Sequence, residues 1–193
     1  GFLFDEIKDK KVLDIGVVEH SIEHMESDGW LHKKIVEKSS YCVGIDIVSD
    51  LVRVLNERGY NVKDVDATSD IYIGEKFDII IIGDVIEHVN DPIKLLEFAK
   101  RHCNKNGKII VSTPNVFYYK NVLQVLKKTT FIANFQHTMW ITPSMALEMA
   151  RRSSLNFYGY RFFSKCHRFP QGILERKFPE LLKDKLCFIF TLN

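Results

Sequence analysis

Acidic and imidazole side chains cluster in one stretch of the chain and could bind a metal or transfer a proton. Asp84, Glu87 and His88 are spaced so that a turn of helix would place them on one face. His137 follows a long connection that could fold over them. Two carboxylates and two imidazoles suit Mg²⁺ or Mn²⁺. Without a metal, His88 or His137 could act as a general base, or Glu87 and His88 could simply brace the next helix.

A second set of candidates lies at the ends of three predicted strands. Gly16 ends the first strand, where a cofactor in contact with the backbone would leave no room for a Cβ. Asp46 ends the second and could accept hydrogen bonds from ribose hydroxyls. Asp66 follows the third and could reach an adenine amino group. Together these residues predict a nucleoside-binding edge.

The elements that must position these residues alternate between strand and helix. The segment 77–83 contains four consecutive isoleucines and has no polar face, which is typical of a strand covered on both sides. The pattern predicts strands at 11–16, 41–46, 61–65, 77–83 and 108–112, and helices at 29–38, 50–59 and 91–103. This order predicts an α/β fold with a Rossmann-like, doubly wound parallel sheet that binds ligands at the carboxyl ends of its strands.

The remainder of the chain is aromatic-rich. The connection at about 114–140 could be an acceptor-side lid or the apolar face of connecting helices. A helix at 142–153 and two β-rich runs, 155–164 and 186–192, would complete the fold, with the runs paired like a hairpin at the sheet edge. We expect one domain over 1–193, and the apolar residues of 178–182 could form a homodimer contact.

Composition narrows the possible partners. The chain has 193 residues, 46% of them hydrophobic, and a net charge of +2, too close to neutral to require nucleic acid or an anionic membrane. Its apolar stretches are shorter than the roughly 20 residues that span a bilayer, and its start lacks the features of a signal peptide. The four cysteines include no C-x-x-C pair. We therefore expect a cytoplasmic protein with reduced thiols and no membrane span.

Six segments carry a resemblance to a known family. They are VLDIG at 12–16, VGID at 43–46, DAT at 66–68, FDIIIIGDVIEHVNDP at 77–92, NGKIIVSTPN at 106–115 and HTMWITP at 137–143. The chain resembles the class I S-adenosylmethionine-dependent methyltransferases, in the branch of ubiquinone-type O-methyltransferases and of glycan and secondary-metabolite methyltransferases. The resemblance implies a seven-stranded sheet of order 3-2-1-4-5-7-6 with the last strand antiparallel.

The resemblance also implies roles for individual residues. Asp14 and Gly16 would cradle the methionine part of the cofactor, and Gly83 and Asp84 would line the sulfonium side. The full set of implied cofactor-binding residues is Asp14, Gly16, Glu19, His20, Asp46, Ile47, Asp66, Ala67, Gly83 and Asp84. A metal held by Asp84, Glu87, His88 and His137 would be similar to one in ubiquinone-type and small-RNA 2′-O-methyltransferases, where it binds a diol and lowers the pKa of the hydroxyl to be methylated.

The first loop departs from the family pattern. Where the family usually has Gly-x-Gly-x-Gly, Val18 and His20 stand in place of two glycines. A β-branched valine resists positive φ. Either the loop takes another path, with Glu19 or His20 meeting the amino acid end of the cofactor, or the protein is a scaffold that no longer binds the cofactor.

The combined features predict methyl transfer from S-adenosylmethionine to an oxygen of a small-molecule or carbohydrate-like acceptor, with S-adenosylhomocysteine as product. The residues expected to carry the reaction are Glu87, His88 and His137. Nitrogen is a second candidate for the acceptor atom. An RNA 2′-O-methyltransferase would use the same four ligands, but the low net charge and the lack of an added RNA-binding module argue against it.

Overall fold

The fold is built on one sheet whose strand order matches the expectation from the sequence. A computed structural model describes residues 2–18, 24–25, 27–127, 134–164 and 177–193. Its strands are β1 (Lys11–Ile15), β2 (Tyr41–Asp46), β3 (Val62–Asp64), β4 (Phe77–Gly83), β5 (Cys103–Pro114), β6 (Leu155–Phe163) and β7 (Lys185–Leu192). They are arranged in the order β3-β2-β1-β4-β5-β7-β6, which confirms the predicted topology.

Helices connect the strands and cover the sheet. In chain order they are α1 (Phe2–Ile7), α2 (Leu31–Lys38), α3 (Ser49–Glu57), α4 (Pro92–His102), α5 (Tyr119–Leu126), α6 (Pro143–Arg152) and α7 (Pro179–Leu182). The helices predicted at 29–38, 50–59, 91–103 and 142–153 are therefore confirmed within a few residues at their ends.

The pairing directions divide the sheet into a parallel part and an antiparallel edge. β1, β2, β3, β4 and β5 pair in parallel, so their carboxyl ends meet at one edge of the sheet. β7 runs antiparallel to both β5 and β6, which confirms the hairpin-like pair expected from the sequence. Because Pro114 is paired with Lys185, the first residue of β7 lies at the same edge as the end of β5.

β4 is the centre of the core. Ile80 and Ile82 pack in one hydrophobic cluster, whereas Ile79 and Ile81 pack in another on the opposite face. All four are buried, as expected for a parallel strand with helices on both sides. The isoleucine run therefore fixes both faces of the strand that leads directly into the candidate site.

β5 is longer than the sequence pattern predicted, because it begins at Cys103 rather than near Lys108. Gly107 lies inside the extension, where an added Cβ would come 2.8 Å from the carbonyl oxygen of Asp78. A glycine inside a strand indicates such a close approach of two backbones. Asn106 and Gly107, which precede the predicted strand at 108–112, are thus part of β5.

Two further observations on the described residues concern membrane-spanning helices and the cysteine thiols. Among these residues, no helix is both long and apolar enough to cross a bilayer. Cys42, Cys103 and Cys187 are free thiols. Burial raises the pKa of the Cys103 and Cys187 thiols to about 12, so both remain protonated near neutral pH.

The start of α4 is fixed by a side-chain cap. One carboxylate oxygen of Asp91 accepts hydrogen bonds from the backbone N–H groups of Ile93 (3.0 Å) and Lys94 (3.1 Å), and Pro92 occupies the first helical position. We expect Asp91→Ala to lower the free energy of unfolding by about 1 kcal/mol, because both donors lose their acceptor. Urea unfolding would measure this loss. Asp91→Asn, which retains a side-chain oxygen, should lose less, and equal losses would contradict the capping explanation.

Candidate active site

Gly16 lies where β1 reaches the edge of the sheet at which the parallel strands end, in a conformation that suits glycine. Its φ is 80°, and its N–H donates to the carbonyl of Ile45 at 2.9 Å. A Cβ at this position would collide with Cγ2 of Val85, which follows β4. The positive φ and the lack of space both exclude a larger residue, so Gly16 keeps the ends of β1, β2 and β4 close together.

The carboxylate of Asp46 joins the loops that follow β1 and β2. One oxygen accepts from the N–H of Val18 at 2.9 Å, and the other accepts from Ile47 at 2.8 Å and Val48 at 3.1 Å. The Ile47 side chain next to it is 68% exposed. At the end of β2, the carboxylate could therefore contact the ribose of a nucleoside, and the exposed apolar side chain beside it could contact the base.

The loop after Gly16 takes a path that Val18 can adopt. In the described part of the chain, the residues other than glycine with positive φ are Asp9, Asp84 and Ser154, and Val18 is not among them. The carbonyl of Val17 accepts from Nε1 of Trp30 at 2.9 Å, which anchors the loop from its other side. Glu19 and His20, which were expected to meet the cofactor, lie outside the described residues.

Asp14 is buried and already has a partner. Its Oδ2 accepts a hydrogen bond from Nδ1 of His32 at 2.8 Å, and both side chains are almost fully excluded from solvent. His32 packs against Gly44 and beside Trp30. This arrangement favours a supporting role for Asp14 over the direct contact with the methionine part that the resemblance implies.

Asp66 begins the loop that follows β3. Its Oδ1 accepts from both the backbone N–H and the hydroxyl of Thr68, each at 2.7 Å, while the residue remains exposed. Ala67 is buried and belongs to the main hydrophobic core. The loop is therefore fixed at its start, with one carboxylate oxygen of Asp66 turned away from these internal hydrogen bonds.

Gly83 and Asp84 end β4 and begin a sharp turn. Asp84 has φ of 56°, and its N–H donates to the carbonyl of Ser112 at 3.0 Å. Its Oδ2 accepts from Nζ of Lys185 at 2.6 Å, and its Oδ1 accepts from the Ser112 hydroxyl at 3.3 Å. Asp84 is thus held by the first residue of β7, a contact that the sequence analysis did not foresee.

Glu87, His88 and His137 are brought together by two segments distant in sequence. One potential ligand atom from each lies within 4.8 Å of the others. The N–H and hydroxyl of Thr138 donate to the carbonyl of Glu87 at 2.8 and 3.0 Å, which fixes the segment around 137 against the turn. Nδ1 of His88 donates to the carbonyl of Gln136 at 3.2 Å, so Nε2 is the ring nitrogen that could bind a ligand.

Burial controls the electrostatics of this cluster. Glu87 is 1% exposed, and within the described residues neither carboxylate oxygen has a hydrogen bond of good geometry. Burial raises the pKa of Glu87 to about 7, and the charge of Asp84 adds to the rise. The backbone N–H of Glu87, the charge of Lys185 and the nearby Thr113 hydroxyl oppose it. Burial also lowers the pKa of His137, and the neighbouring His88 lowers it further. Nδ1 of His137 is buried without a partner among the described residues.

The expected set of four ligands is therefore brought together in part. Glu87, His88 and His137 converge, but Asp84 is directed to Lys185 instead. The turn of helix expected from Asp84 to His88 is wrong, because the positive φ of Asp84 is not helical. The segment instead forms one hydrogen-bonded turn that is not part of a helix, in which the N–H of His88 donates to the carbonyl of Val85 at 2.9 Å. The helix that begins after Asp91 is separate from this turn.

The aromatic-rich connection at about 114–140 is described in two parts, 114–127 and 134–140. α5 has no buried residue, and Phe117, Tyr119 and Phe135 are exposed. Phe131 lies outside the described residues. The second piece, 134–140, is the one that contacts the turn around Glu87, so an acceptor-side role for this connection stays a prediction.

Comparison with known proteins assigns the chain to a family. A ubiquinone biosynthesis O-methyltransferase of Hydrogenovibrio crunogenus is 24% identical over 168 residues, covering 79% of this chain and 64% of that protein. The chain spans 34% to 65% of the length of the first curated relatives that it matches.

Solved structures share the fold at low identity. A SAM-dependent methyltransferase from Archaeoglobus fulgidus has a TM-score of 0.70 at 16% identity, over 98% of this chain and 89% of that one. Magnesium protoporphyrin IX methyltransferase from Synechocystis PCC 6803, with bound S-adenosylhomocysteine, has a TM-score of 0.62 at 15% identity, over 100% and 78%. Residues 2–172 match the family described as a methyltransferase domain, and the chain belongs to that family.

Proposed function

We propose that this protein transfers the methyl group of S-adenosylmethionine to an oxygen of a small-molecule or carbohydrate-like acceptor. Family membership supports the cofactor, and the relatives that methylate oxygen support the acceptor atom. A net charge of +2 favours a small or glycan acceptor over a nucleic acid. The cluster of Glu87, His88 and His137 at the end of β4 supports the position of the reaction.

The cofactor would lie along the carboxyl ends of β1, β2, β3 and β4. In this proposal Gly16 contacts the methionine part, Asp46 and Ile47 bind the ribose side, and Asp66 with Ala67 meets the adenine. Gly83 and Asp84 would face the sulfonium. A sulfonium is a good leaving group, so the protein's main contribution is to align the acceptor oxygen with the methyl carbon and sulfur.

The observation that carries the proposal is the state of Glu87. Burying a carboxyl group that has no hydrogen bond of good geometry among the described residues is costly, and such groups concentrate where a ligand is bound. Two imidazoles lie beside it, and the second nitrogen of His88 is already oriented by the carbonyl of Gln136. These features fit a divalent cation, because a positive charge would satisfy the orphaned oxygens and favour the ionised form of Glu87.

The donor set also bears on which cation would bind. With Asp84 paired to Lys185, the cluster offers one carboxylate and two imidazoles, a set that suits Zn²⁺, Mn²⁺ or Fe²⁺ better than Mg²⁺. A cation held there would supply Lewis acidity, which lowers the pKa of an acceptor hydroxyl.

His137 could serve the reaction in a second way. Because burial lowers its pKa, the ring is neutral near pH 7 and can accept a proton. Its ring lies 4.7 Å from that of His88, centroid to centroid, so a proton taken from an acceptor hydroxyl would remain within the same pair of imidazoles. This role needs no metal, and a metal titration separates the two possibilities.

Replacing Asp46 tests the cofactor site. Asp46→Ala should weaken S-adenosylhomocysteine binding by at least about tenfold, because it removes the acceptor proposed for the ribose and releases three backbone donors. Calorimetric titration measures the affinity. The matched control is Asp50→Ala, four residues later on α3, whose exposed carboxylate contacts only Arg53 among the described residues. Equal effects of the two changes would contradict the assignment, and lack of binding by the wild type would contradict the proposed function itself.

Gly16 offers an independent test of the loop. Gly16→Ala should weaken S-adenosylhomocysteine binding and lower the unfolding temperature, because the added Cβ meets Val85 and φ is positive. Combining it with Val85→Ala removes the collision but not the backbone strain. We therefore expect the double variant to recover part of the loss, as measured by calorimetry and thermal unfolding. No recovery would indicate that the collision does not determine the effect.

The reaction site is tested by separating binding from turnover. Glu87→Gln and His88→Ala should abolish methyl transfer to a panel of catechols and sugar diols, assayed with radiolabelled S-adenosylmethionine, while S-adenosylhomocysteine binding is retained. Both should also lose binding of Zn²⁺ or Mn²⁺ measured by calorimetry, because each removes one of three ligands. His24→Ala, an exposed histidine outside the cluster, is the control. Normal turnover by both variants would show that the reaction site is elsewhere. Turnover by a wild-type protein that binds no metal would favour His137 as the general base.

A further inference from the structure

The loop between β3 and β4 is held by a neighbouring helix. This loop, residues 66–76, contains Asp66 and Ala67 and then crosses the surface to Phe77. Ile71 and Tyr72 in its middle are more than half exposed, so burial of these side chains does little to fix its shape. Ala67 and Ile73 pack into or against the main core, and Glu75 pairs with Lys11 and Lys63. Further contacts to the loop come from the last turn of α4.

We propose that Arg101 and His102 are positioning residues that hold loop 66–76 in the conformation that binds the adenine of the cofactor, so that protonation of His102 weakens cofactor binding. This inference rests on the proposed contact of Asp66 and Ala67 with the adenine. Neither Arg101 nor His102 would touch the cofactor in this arrangement.

Arg101 is connected to Asp66 through a single residue. Its Nη2 donates to the carbonyl of Ser69 at 2.5 Å. The N–H and hydroxyl of Ser69 in turn donate to the carbonyl of Asp66, at 3.1 and 2.6 Å. A second guanidinium nitrogen lies 3.5 Å from the carboxylate of Asp70, so the side chain contacts the loop at two consecutive residues. Hydrogen bonds thus run from α4 to the residue proposed to meet the adenine.

His102 secures the other half of the loop, and its hydrogen bonds define its protonation state. Its side chain is fully buried. Nδ1 donates to the carbonyl of Phe98 at 2.8 Å, and Nε2 accepts from the N–H of Ile73 at 3.1 Å. A ring that donates at one nitrogen and accepts at the other is neutral. The ring of Tyr72 stacks on the imidazole, with 5.1 Å between centroids and 21° between planes.

The charges around His102 favour the same neutral form. Burial lowers the pKa of His102, and the cations of Arg101, Lys76 and Lys63 lower it further. The carboxylates among the contacts of these cations are Asp70, beside Arg101, and Glu75, beside Lys63. Tyr72 and Phe98 present rings to the imidazole. The described neighbours therefore keep the ring uncharged at neutral pH.

Protonation would remove the acceptor on which the loop depends. A charged imidazole has two N–H donors, so Nε2 would face the N–H of Ile73 as donor against donor. While loop 66–76 is held against His102, protonation of the imidazole is unfavourable. In the released state, where the loop has left His102, the ring is exposed and has an ordinary pKa near 6.5. Acid therefore favours the released loop, and its effect grows as the pH falls below about 6.5. If only the held loop binds the cofactor, affinity falls in the same range.

Calorimetric titration with S-adenosylhomocysteine at about pH 7.5 and about pH 5.5 tests this linkage. We expect the affinity of the wild type to fall several-fold at the lower pH, with about tenfold as the limit for one ring whose released-state pKa is near 6.5. His102→Gln keeps a side-chain oxygen as acceptor for Ile73 but cannot be protonated, so its affinity should change little with pH. A wild-type affinity that does not change with pH, or a fall of equal size in His102→Gln, would overturn the proposal.

Arg101 is tested at a single pH with a matched control. Arg101→Met should weaken S-adenosylhomocysteine binding about fivefold, because the loop loses its contacts at Ser69 and Asp70. The control is Lys100→Met, which removes the neighbouring cation on α4 that donates to the carbonyl of Ser153, away from the loop. This control should bind normally. Equal affinities of both variants and the wild type would overturn the positioning role of Arg101.

The His102 variant changes a buried residue, so a measurement on the wild type is needed as well. By linkage, a ligand that binds only the held loop must make His102 harder to protonate. Histidine ring NMR should show the titration midpoint of His102 moving to lower pH when S-adenosylhomocysteine is added. An unchanged midpoint would overturn the proposal even if His102→Gln does not fold. Lack of binding by the wild type at about pH 7.5 would instead contradict the proposed function.

Discussion

The hydrogen bonds accepted by the Asp46 carboxylate organise the edge of the sheet at which the cofactor is proposed to bind. The carboxylate accepts three backbone N–H groups, one from the loop after β1 and two from the loop after β2. Hydrogen bonds to an ionised acceptor contribute more than neutral ones, about 1.5–3 kcal/mol each. Because these donors belong to two loops, the carboxylate makes them one unit. The N–H of Val18 is one of the three, so the loop is anchored at the position where the family usually has a glycine.

The sequence predicts the sheet well because the predictive features are local. Four isoleucines with no polar face predict a central strand, and Asp91 with Pro92 predicts the start of a helix. The residues at the ends of β1, β2 and β3 follow from the same pattern, because parallel strands bring their carboxyl ends to one edge. Short segments thus predict both the fold and the residues at this edge of the sheet. The structure places Gly16, Asp46 and Asp66 directly at or after the ends of β1, β2 and β3, as predicted.

The details of the reaction site depend on pairings that a sequence does not display. Lys185 reaches Asp84 because β7 runs antiparallel to β5 with Pro114 opposite Lys185, a register set only when the whole sheet forms. Asp84, which is paired with Lys185, has a left-handed backbone conformation, and this conformation ends the helical spacing that the sequence suggested. The same difficulty applies to His102. It donates to Phe98 on its own helix, but it accepts from Ile73, which is 29 positions earlier in the loop before β4.

The energetic cost of burying Glu87 connects the stability of the fold to the reaction site proposed at the end of β4. A buried carboxyl group without a hydrogen bond of good geometry among the described residues destabilises the folded state, and the rise of its pKa to about 7 reflects that cost. The chain accommodates the cost at the end of β4, beside a core formed by the isoleucines of that strand. In the proposed function, a cation bound by this carboxylate would recover the lost interaction. Its binding would therefore stabilise the fold through the same atoms that are proposed to act in the reaction.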